Sequence, residues 1–422
     1  KNVADTLERI PVVGGRMIDK IKRTKNSIKQ LFIPGMLFEN MGITYLGPVD
    51  GHNIPALCKV LKEAQKLDHA VLVHVLTKKG KGYEPAEKNP AHFHGVSPFD
   101  IKTGKPLAEK KYPTYTDVFS KKLCQLGETH PELVAVTAAM PDGTGVAAFG
   151  KKFPDRFFDV GIAEAHAVTS AAGMAAAGLR PVVAVYSSFL QRGYDQILHD
   201  VCIQNLPVVF AIDRAGLVGS DGETHQGIFD LSYLSMMPNM TVLAPKNDRE
   251  LEEMLAFAVS FDGPIAIRYP RGSAHQGLRE YQVPVEYGRS EIIRKGKKIA
   301  VLGVGSMIPS CMEICKGLKD DGYDPTFVNA RFVKPLDTAL LDELSRDHKL
   351  IVTVEENVRN GGFGEHVAAY MEACHPEIRV LSAAVWDRFV PQGNVESLRS
   401  RIGLGVEDIR QAIEDSEELR EQ

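Results

Sequence analysis

No run of about 18 apolar residues occurs in this 422-residue chain, which excludes a conventional membrane-spanning helix. Its six cysteines form no C-x-x-C pair, so they read neither as a disulfide framework nor as a zinc ribbon, and they fit a reducing compartment. Excess charge is also missing. A net charge of −4 leaves no global basic field for nucleic acid or an anionic membrane. No fixed-period repeat points to a solenoid, and neither G-x-G-x-x-G nor G-x-x-x-x-G-K-[ST] is present. The chain opens at Lys1 rather than Met, and KNVADTLERI has neither a signal peptide's apolar core nor a transit peptide's bias. Residues 1–35, a basic amphipathic stretch closed by Pro34-Gly35, read as the middle of something, and the expectation is a fragment lacking its beginning.

What is present is ordinary for a globular enzyme: 44% hydrophobic and 25% charged residues, with 37 Gly and 24 Pro. The length allows two to four domains. Helical periodicity over 54–67 (Ile54, Leu57, Val60, Leu61, Ala64) leads to HAVLVHVLT (69–77), which reads as a buried strand. A long Gly/Pro/Lys/His-rich loop follows, and a boundary is placed near 105–113. The runs LVAVT, PVVAVY, LPVVFAID, MTVLAP and PIAIRYP then alternate with helical stretches at 163–178, 191–203 and 247–260. After a polar linker at 274–288, KIAVLGVG, PTFVNARF, KLIVTVEE and RVLSAAV repeat the pattern, with a helix at 307–319, one after Gly364, and two closing helices. The fold class is α/β: tandem doubly wound, mostly parallel sheets.

In such folds ligands bind where strand C-termini open into loops. DVGIAEAHAV (159–168) puts Glu164 and His166 at a helix start, where a carboxylate equally suits the helix dipole without any function. VYSSFLQRGYDQ (185–196) brings Tyr186 and Phe189, readable as core or as a cofactor platform, and Arg192, placed for an anion. AIDRAGLVGSDGETHQG (211–227) sets Asp213, Arg214, Asp221, Glu223 and His225 among four glycines. That acid, base and guanidinium mix suits proton transfer beside an anionic substrate, although solvated loops contain such residues too. RYPRG (268–272) adds guanidiniums for a phosphate or carboxylate. HFH (92–94) offers two ligands on a strand but has no third at metal spacing, so substrate contact ranks above zinc. GVGS (303–306) and GGFGEH (361–366) are weak phosphate-loop candidates and read better as turn glycines; Cys311 and Cys315 share a helical face and read as core.

These segments, together with YLGPVDGHN, TKKGKGYEPAEKNPAHFHGV and RFVKPLD, resemble the 1-deoxy-D-xylulose-5-phosphate synthases, thiamine-diphosphate enzymes of the transketolase superfamily. The resemblance runs from about residue 32 to 400, and its specific part is IAE-x-HAV, FLQR-x-YDQ and DRAG-x-VG-x-DG-x-THQG. It implies a remnant of the diphosphate-binding domain with linker (1–108), a pyrimidine-binding domain (113–275) and a transketolase C-terminal domain (288–422) that serves mainly packing and dimerisation.

It also implies a reaction: pyruvate and D-glyceraldehyde 3-phosphate condense with loss of CO₂ to 1-deoxy-D-xylulose 5-phosphate. Glu164 would bond the cofactor aminopyrimidine, Phe189 would stack on it, and Ile162 and Lys81 would touch the cofactor. Arg214 and Arg271 match phosphate-holding positions, while Tyr186, Arg192, Asp221 and His225 match the substrate pocket, with His225 as proton donor and acceptor. His94 matches a further active-site histidine. Ala165 stands where the family usually has Gln, a change expected to matter little. No G-D-G…N motif for Mg²⁺ and the diphosphate is present, so metal ligands are expected elsewhere and none in this chain. A homodimer, a separate N-terminal half as partner, and bacterial cytoplasm are expected, with a plastid origin open; nucleic acid and membrane are not. Competing readings are a C-terminal subunit of a two-subunit transketolase or 2-oxoacid dehydrogenase, and a non-catalytic dimerising remnant.

Overall fold

The computed structural model describes residues 36–90, 92–96, 98–107 and 112–416, so the reading of residues 1–35 falls outside the described residues. The chain divides into two compact units, Lys1–Glu109 and Lys110–Gln422.

In the first unit, β1 (Thr44–Asp50) pairs in parallel with β2 (Val71–Leu76). Parallel neighbours need a long crossover, and helix α1 (Ile54–Ala64) provides it. Asn53 caps α1, its Oδ1 accepting from the Ala56 amide at 3.1 Å. The expectation of a buried strand fails here: β2 is half-buried and Leu76 is exposed, because among the described residues its sheet has only two strands and its crossover helix contributes no buried residue. His92–His94 form a 3₁₀ turn rather than lying on a strand, following the short helix Glu84–Lys88. Phe93 meets Tyr83 and Phe99 ring to ring at 5.6 and 5.3 Å, which gives this polar segment its packing.

The second unit opens with helix α2 (Tyr115–Thr129), closed at its start by a capping box between Thr114 and Asp117. Strands β3 (Leu133–Thr137) and β4 (Phe157–Asp159), helix α3 (Glu164–Ala176), and strands β5 (Arg180–Tyr186), β6 (Val209–Asp213) and β7 (Thr241–Leu243) follow. Next come helix α4 (Asp248–Val259) and strands β8 (Ile265–Arg268), β9 (Glu291–Arg294) and β10 (Lys298–Gly303). Helix α5 (Ile308–Asp320), β11 (Thr326–Asn329), β12 (Phe332–Lys334), β13 (His348–Val358), helix α6 (Phe363–Cys374), β14 (Arg379–Val385) and helices α7 (Val395–Arg401) and α8 (Val406–Glu414) complete it.

They form a seven-stranded sheet, β12-β7-β8-β6-β5-β3-β4, and a five-stranded sheet, β14-β13-β10-β11-β9. All pairings are parallel except β7–β12 and β9–β11. Along β5, Val182 and Ala184 enter the core beneath α2 and α4, whereas Val183 and Val185 pack with the alanines of α3, so both faces are covered. That second core continues through Ala300, Leu302 and Val328 of the smaller sheet, joining the two sheets.

Two further expectations need correction. Residues 191–203 are not one helix but a 3₁₀ turn (Gln191–Gly193), one α-turn and a π-turn (Ile197–Cys202). At Gly193 a Cβ would come within 3.0 Å of Val168, so close packing on α3 governs this stretch rather than helical periodicity. PTFVNARF is also two elements: β11 stays in the small sheet while β12 crosses to edge the large one. No helix of the described residues is long and apolar enough to cross a membrane.

Candidate active site

The site gathers at the C-terminal ends of β3, β5, β6 and β8. Beyond β4, Asp159 Oδ1 accepts the amides of Gly161 (3.0 Å) and Ala139 (2.8 Å), bending the chain so that Glu164 begins α3. Glu164 is only 4% exposed, and its Oε1 meets Arg192 Nη1 at a long 3.4 Å. A carboxylate buried this far with so slack a partner leaves acceptor capacity for an N–H group brought by a ligand.

Beside it runs a chain of π-faces. The Arg192 guanidinium lies 5.1 Å from the Phe189 ring centre, Phe189 stacks on Tyr186 at 5.7 Å, and His225 stands edge-on to Phe189 at 5.1 Å. Arg214 covers the other end of the chain, 4.0 Å over Tyr186. Burial pushes the Tyr186 phenol upward, opposed by the Arg214 charge.

Arg214 is held in a left-handed backbone conformation, φ +59°. Fully buried Asp213 accepts its amide at 2.7 Å and pairs with its Nη1 at 2.9 Å, and Thr116 Oγ1 donates to the same carboxylate at 2.7 Å. Burial pushes the Asp213 carboxyl up, with Arg214 pulling it back. Arg214 Nη1 also donates to Gly143 O at 2.5 Å. In the neighbouring loop, Arg271 Nη1 donates to Asp221 Oδ2 at 2.7 Å and to Ser220 Oγ at 3.1 Å.

Glu164, Arg192, Phe189, Tyr186, His225 and Arg214 therefore form one contact chain, with the Asp221–Arg271 pair on the adjoining loop. Ile162, on the turn before Glu164, is 86% exposed. Lys81 and His94 belong to the first unit. There Lys81 is exposed, and His94 Nδ1 lies 2.7 Å from the Lys79 ammonium. Among the described residues no group of three His, Cys, Asp or Glu is placed to hold a metal ion.

Sequence reasoning passed over Gly143, Thr116 and Gln226. Gly143 lies in the PDG string (141–143) and accepts from Arg214, and a Cβ there would fall 1.7 Å from the Tyr186 hydroxyl. Gln226 faces a cavity of about 320 Å³ that also meets Ser188, Gln191, Thr224 and Phe229, and Phe389 from the C-terminal half. The THQG string alone could have pointed to it.

Family models match in the same order along the chain. The 1-deoxy-D-xylulose-5-phosphate synthase model covers residues 1–77, the transketolase pyrimidine-binding domain 111–276, and the transketolase C-terminal domain 288–409. A solved structure titled a split-gene transketolase, inactive β4 tetramer, is 30% identical over 73% of this chain and 98% of that one, with a TM-score of 0.64. A Campylobacter jejuni transketolase at 17% identity shares the fold over 92% of this chain and 70% of its own, with a TM-score of 0.62. The matched domains and the shared fold make this a transketolase-type architecture.

Among curated relatives, the 1-deoxy-D-xylulose-5-phosphate synthase of Lachnoclostridium phytofermentans is 55% identical over 96% of this chain, and that of Natranaerobius thermophilus 49% over 97%. The chain belongs to the 1-deoxy-D-xylulose-5-phosphate synthase family. It spans about 65% of the length of those two relatives.

Proposed function

We propose that this chain provides the pyrimidine-side half of a thiamine-diphosphate site that condenses pyruvate with D-glyceraldehyde 3-phosphate, releasing CO₂ and forming 1-deoxy-D-xylulose 5-phosphate. The observation that carries the reading is Glu164, a buried carboxylate with spare acceptor capacity beside the Phe189 ring. Those two groups fit an aminopyrimidine, one as acceptor of its ring N–H and the other as an apolar face. When bound, the cofactor supplies the carbanion chemistry. Glu164 holds the proton on the pyrimidine nitrogen, Phe189 fixes the ring plane, and Ile162 covers its edge.

Arg214 and Arg271 take the phosphate of the aldehyde, each kept in place by its own carboxylate. Tyr186, Arg192 and Asp221 orient the acceptor, and His225 moves protons at the forming hydroxyl. The remaining roles in this reading are Lys81 as a cofactor-binding residue and His94 as a further active-site histidine. Two copies of the chain forming a dimer also belong to this reading.

The sequence holds no Gly-Asp-Gly followed by Asn, so Mg²⁺ and the diphosphate are held by residues outside this chain. The split-gene relative, described as an inactive β4 tetramer, supports a chain of this span being inactive alone. Glu164→Gln tests the function directly. With the metal-binding half supplied, product formation from the two substrates should fall by about 10³-fold or more, while the melting temperature holds. Turnover retained within tenfold would sink the assignment of Glu164.

A further inference from the structure

The loop that carries Asp221 and His225 is pinched at its base, where Gly216 and Gly227 exchange both backbone hydrogen bonds at 2.6 and 2.8 Å. Its interior is occupied by Gln226, which is only 2% exposed. Gln226 Oε1 accepts from the amides of Val218 (2.8 Å) and Gly219 (3.4 Å). Its Nε2 donates to the carbonyls of Pro391 (3.2 Å) and Val390 (3.5 Å), in the C-terminal half. The same junction is closed by the Gly393 amide donating to Gly219 O at 3.2 Å, while Gly222 packs against Gln392. The amides of His225 and Gln226 both donate to Gly222 O, at 3.0 and 3.2 Å, so Gln226 draws in the turn that ends at His225.

We propose that Gln226 is a positioning residue for His225 and Asp221, and that residues 390–393 are the seat on which it fixes their loop. The proposal rests on the functional reading above for what those two residues do. A primary amide is the side chain that presents two N–H donors and a carbonyl at this reach, and here both ends are used. A carboxylate keeps the acceptor and loses the donors, leaving the Val390 and Pro391 carbonyls facing a charge. Arg214 is anchored independently, by Asp213, Thr116 and Gly143. Loss of Gln226 should thus loosen His225 and the Asp221–Arg271 pair while leaving the Arg214 phosphate contact in place.

The test is Gln226→Glu in the whole chain, read first by hydrogen exchange. Exchange at Val218, Gly219 and Gly393 should quicken by about 10–100-fold while β6 and α3 keep wild-type rates. Gly219→Ala, whose Cβ would lie 2.7 Å from Gly393 O, enters the same junction from the other side and should give the same local pattern. In turnover with the completed site, kcat should drop about tenfold or more, and KM for the phosphorylated aldehyde should rise by a smaller factor, since Arg271 is loosened with Asp221 while Arg214 stays in place. Unchanged exchange at those amides in both variants overturns the proposal. So does lost protection spreading equally into β6, the sign of a residue that only supports the fold, or a raised KM with kcat kept. Exchange needs no substrate, so a wild-type protein still inactive towards these substrates once the metal-binding half is supplied would count against the functional reading and leave the loop result standing.

Discussion

Arg214 is held where an L-residue would rather not be. A left-handed backbone costs a non-glycine residue about 1–2 kcal/mol. It is retained because the Asp213 carboxylate grips both its amide and its guanidinium, and Gly143 O takes the same Nη1. Gly143 is the weak point of that arrangement, since any side chain there meets the Tyr186 hydroxyl. Gly143→Ala is expected to displace Tyr186 from beneath Arg214 and to destabilise the protein by about 1–3 kcal/mol. Calorimetric melting would measure it, and adding Tyr186→Phe, which removes the colliding oxygen, should recover part of the loss; no recovery would mean that the strain lies elsewhere. Asp213, Arg214 and His225 stood out in the sequence because an acid, a guanidinium and an imidazole among glycines suit anion binding and proton transfer, whereas Tyr186 read equally as core. Gly143 was not, because its partner stands 71 positions away and a glycine carries no chemical signature.

Elements hide their own surprises. KLIVTVEE reads as a strand, and within it Glu355 lies fully buried in β13. It accepts the Phe363 and Gly364 amides, at 2.9 and 2.8 Å, that open α6. The GGFGEH segment thus spends those donors on a carboxylate of its own chain and packs Gly364 against Thr353 and Ser382, which is why it behaves as turn and packing glycines rather than a phosphate loop. Burial pushes the Glu355 carboxyl up to about 7 from an ordinary 4.5. A carboxyl whose pKa is raised in the folded state stabilises most below its unfolded value, and that contribution is lost as pH rises from about 4.5 to about 7. Glu355→Gln should remove this slope, so the stability of wild type minus variant, from urea melts at pH 5 and pH 8, should fall with pH; a flat difference would refute it. The strands of the large sheet were readable from their apolar runs. The broken stretch 191–202 and the edge strand β12 were not, because close packing at Gly193 and pairing across the sheets override local periodicity.

Across the whole molecule, the proposed function gives Glu164 the pyrimidine side of the site, while the sequence holds no Gly-Asp-Gly followed by Asn for the diphosphate side. Titration calorimetry of the chain with thiamine diphosphate and Mg²⁺ should accordingly show weak binding or none, and tight metal-dependent binding would overturn the half-site reading. The larger lesson of the fold lies in β12. The polypeptide finishes most of one sheet, crosses the linker at 274–288, lays β9, β10 and β11 into the other, and then returns so that Phe332 and Lys334 pair with Leu243 and Val242. Lys246, Glu250, Glu291 and Arg331 lock that return with buried ion pairs. The two sheets are hemmed together like cloth turned back on itself. A protease that severs the linker would cut the thread and leave the seam, and a gene divided there would make two products that each need the other to be whole.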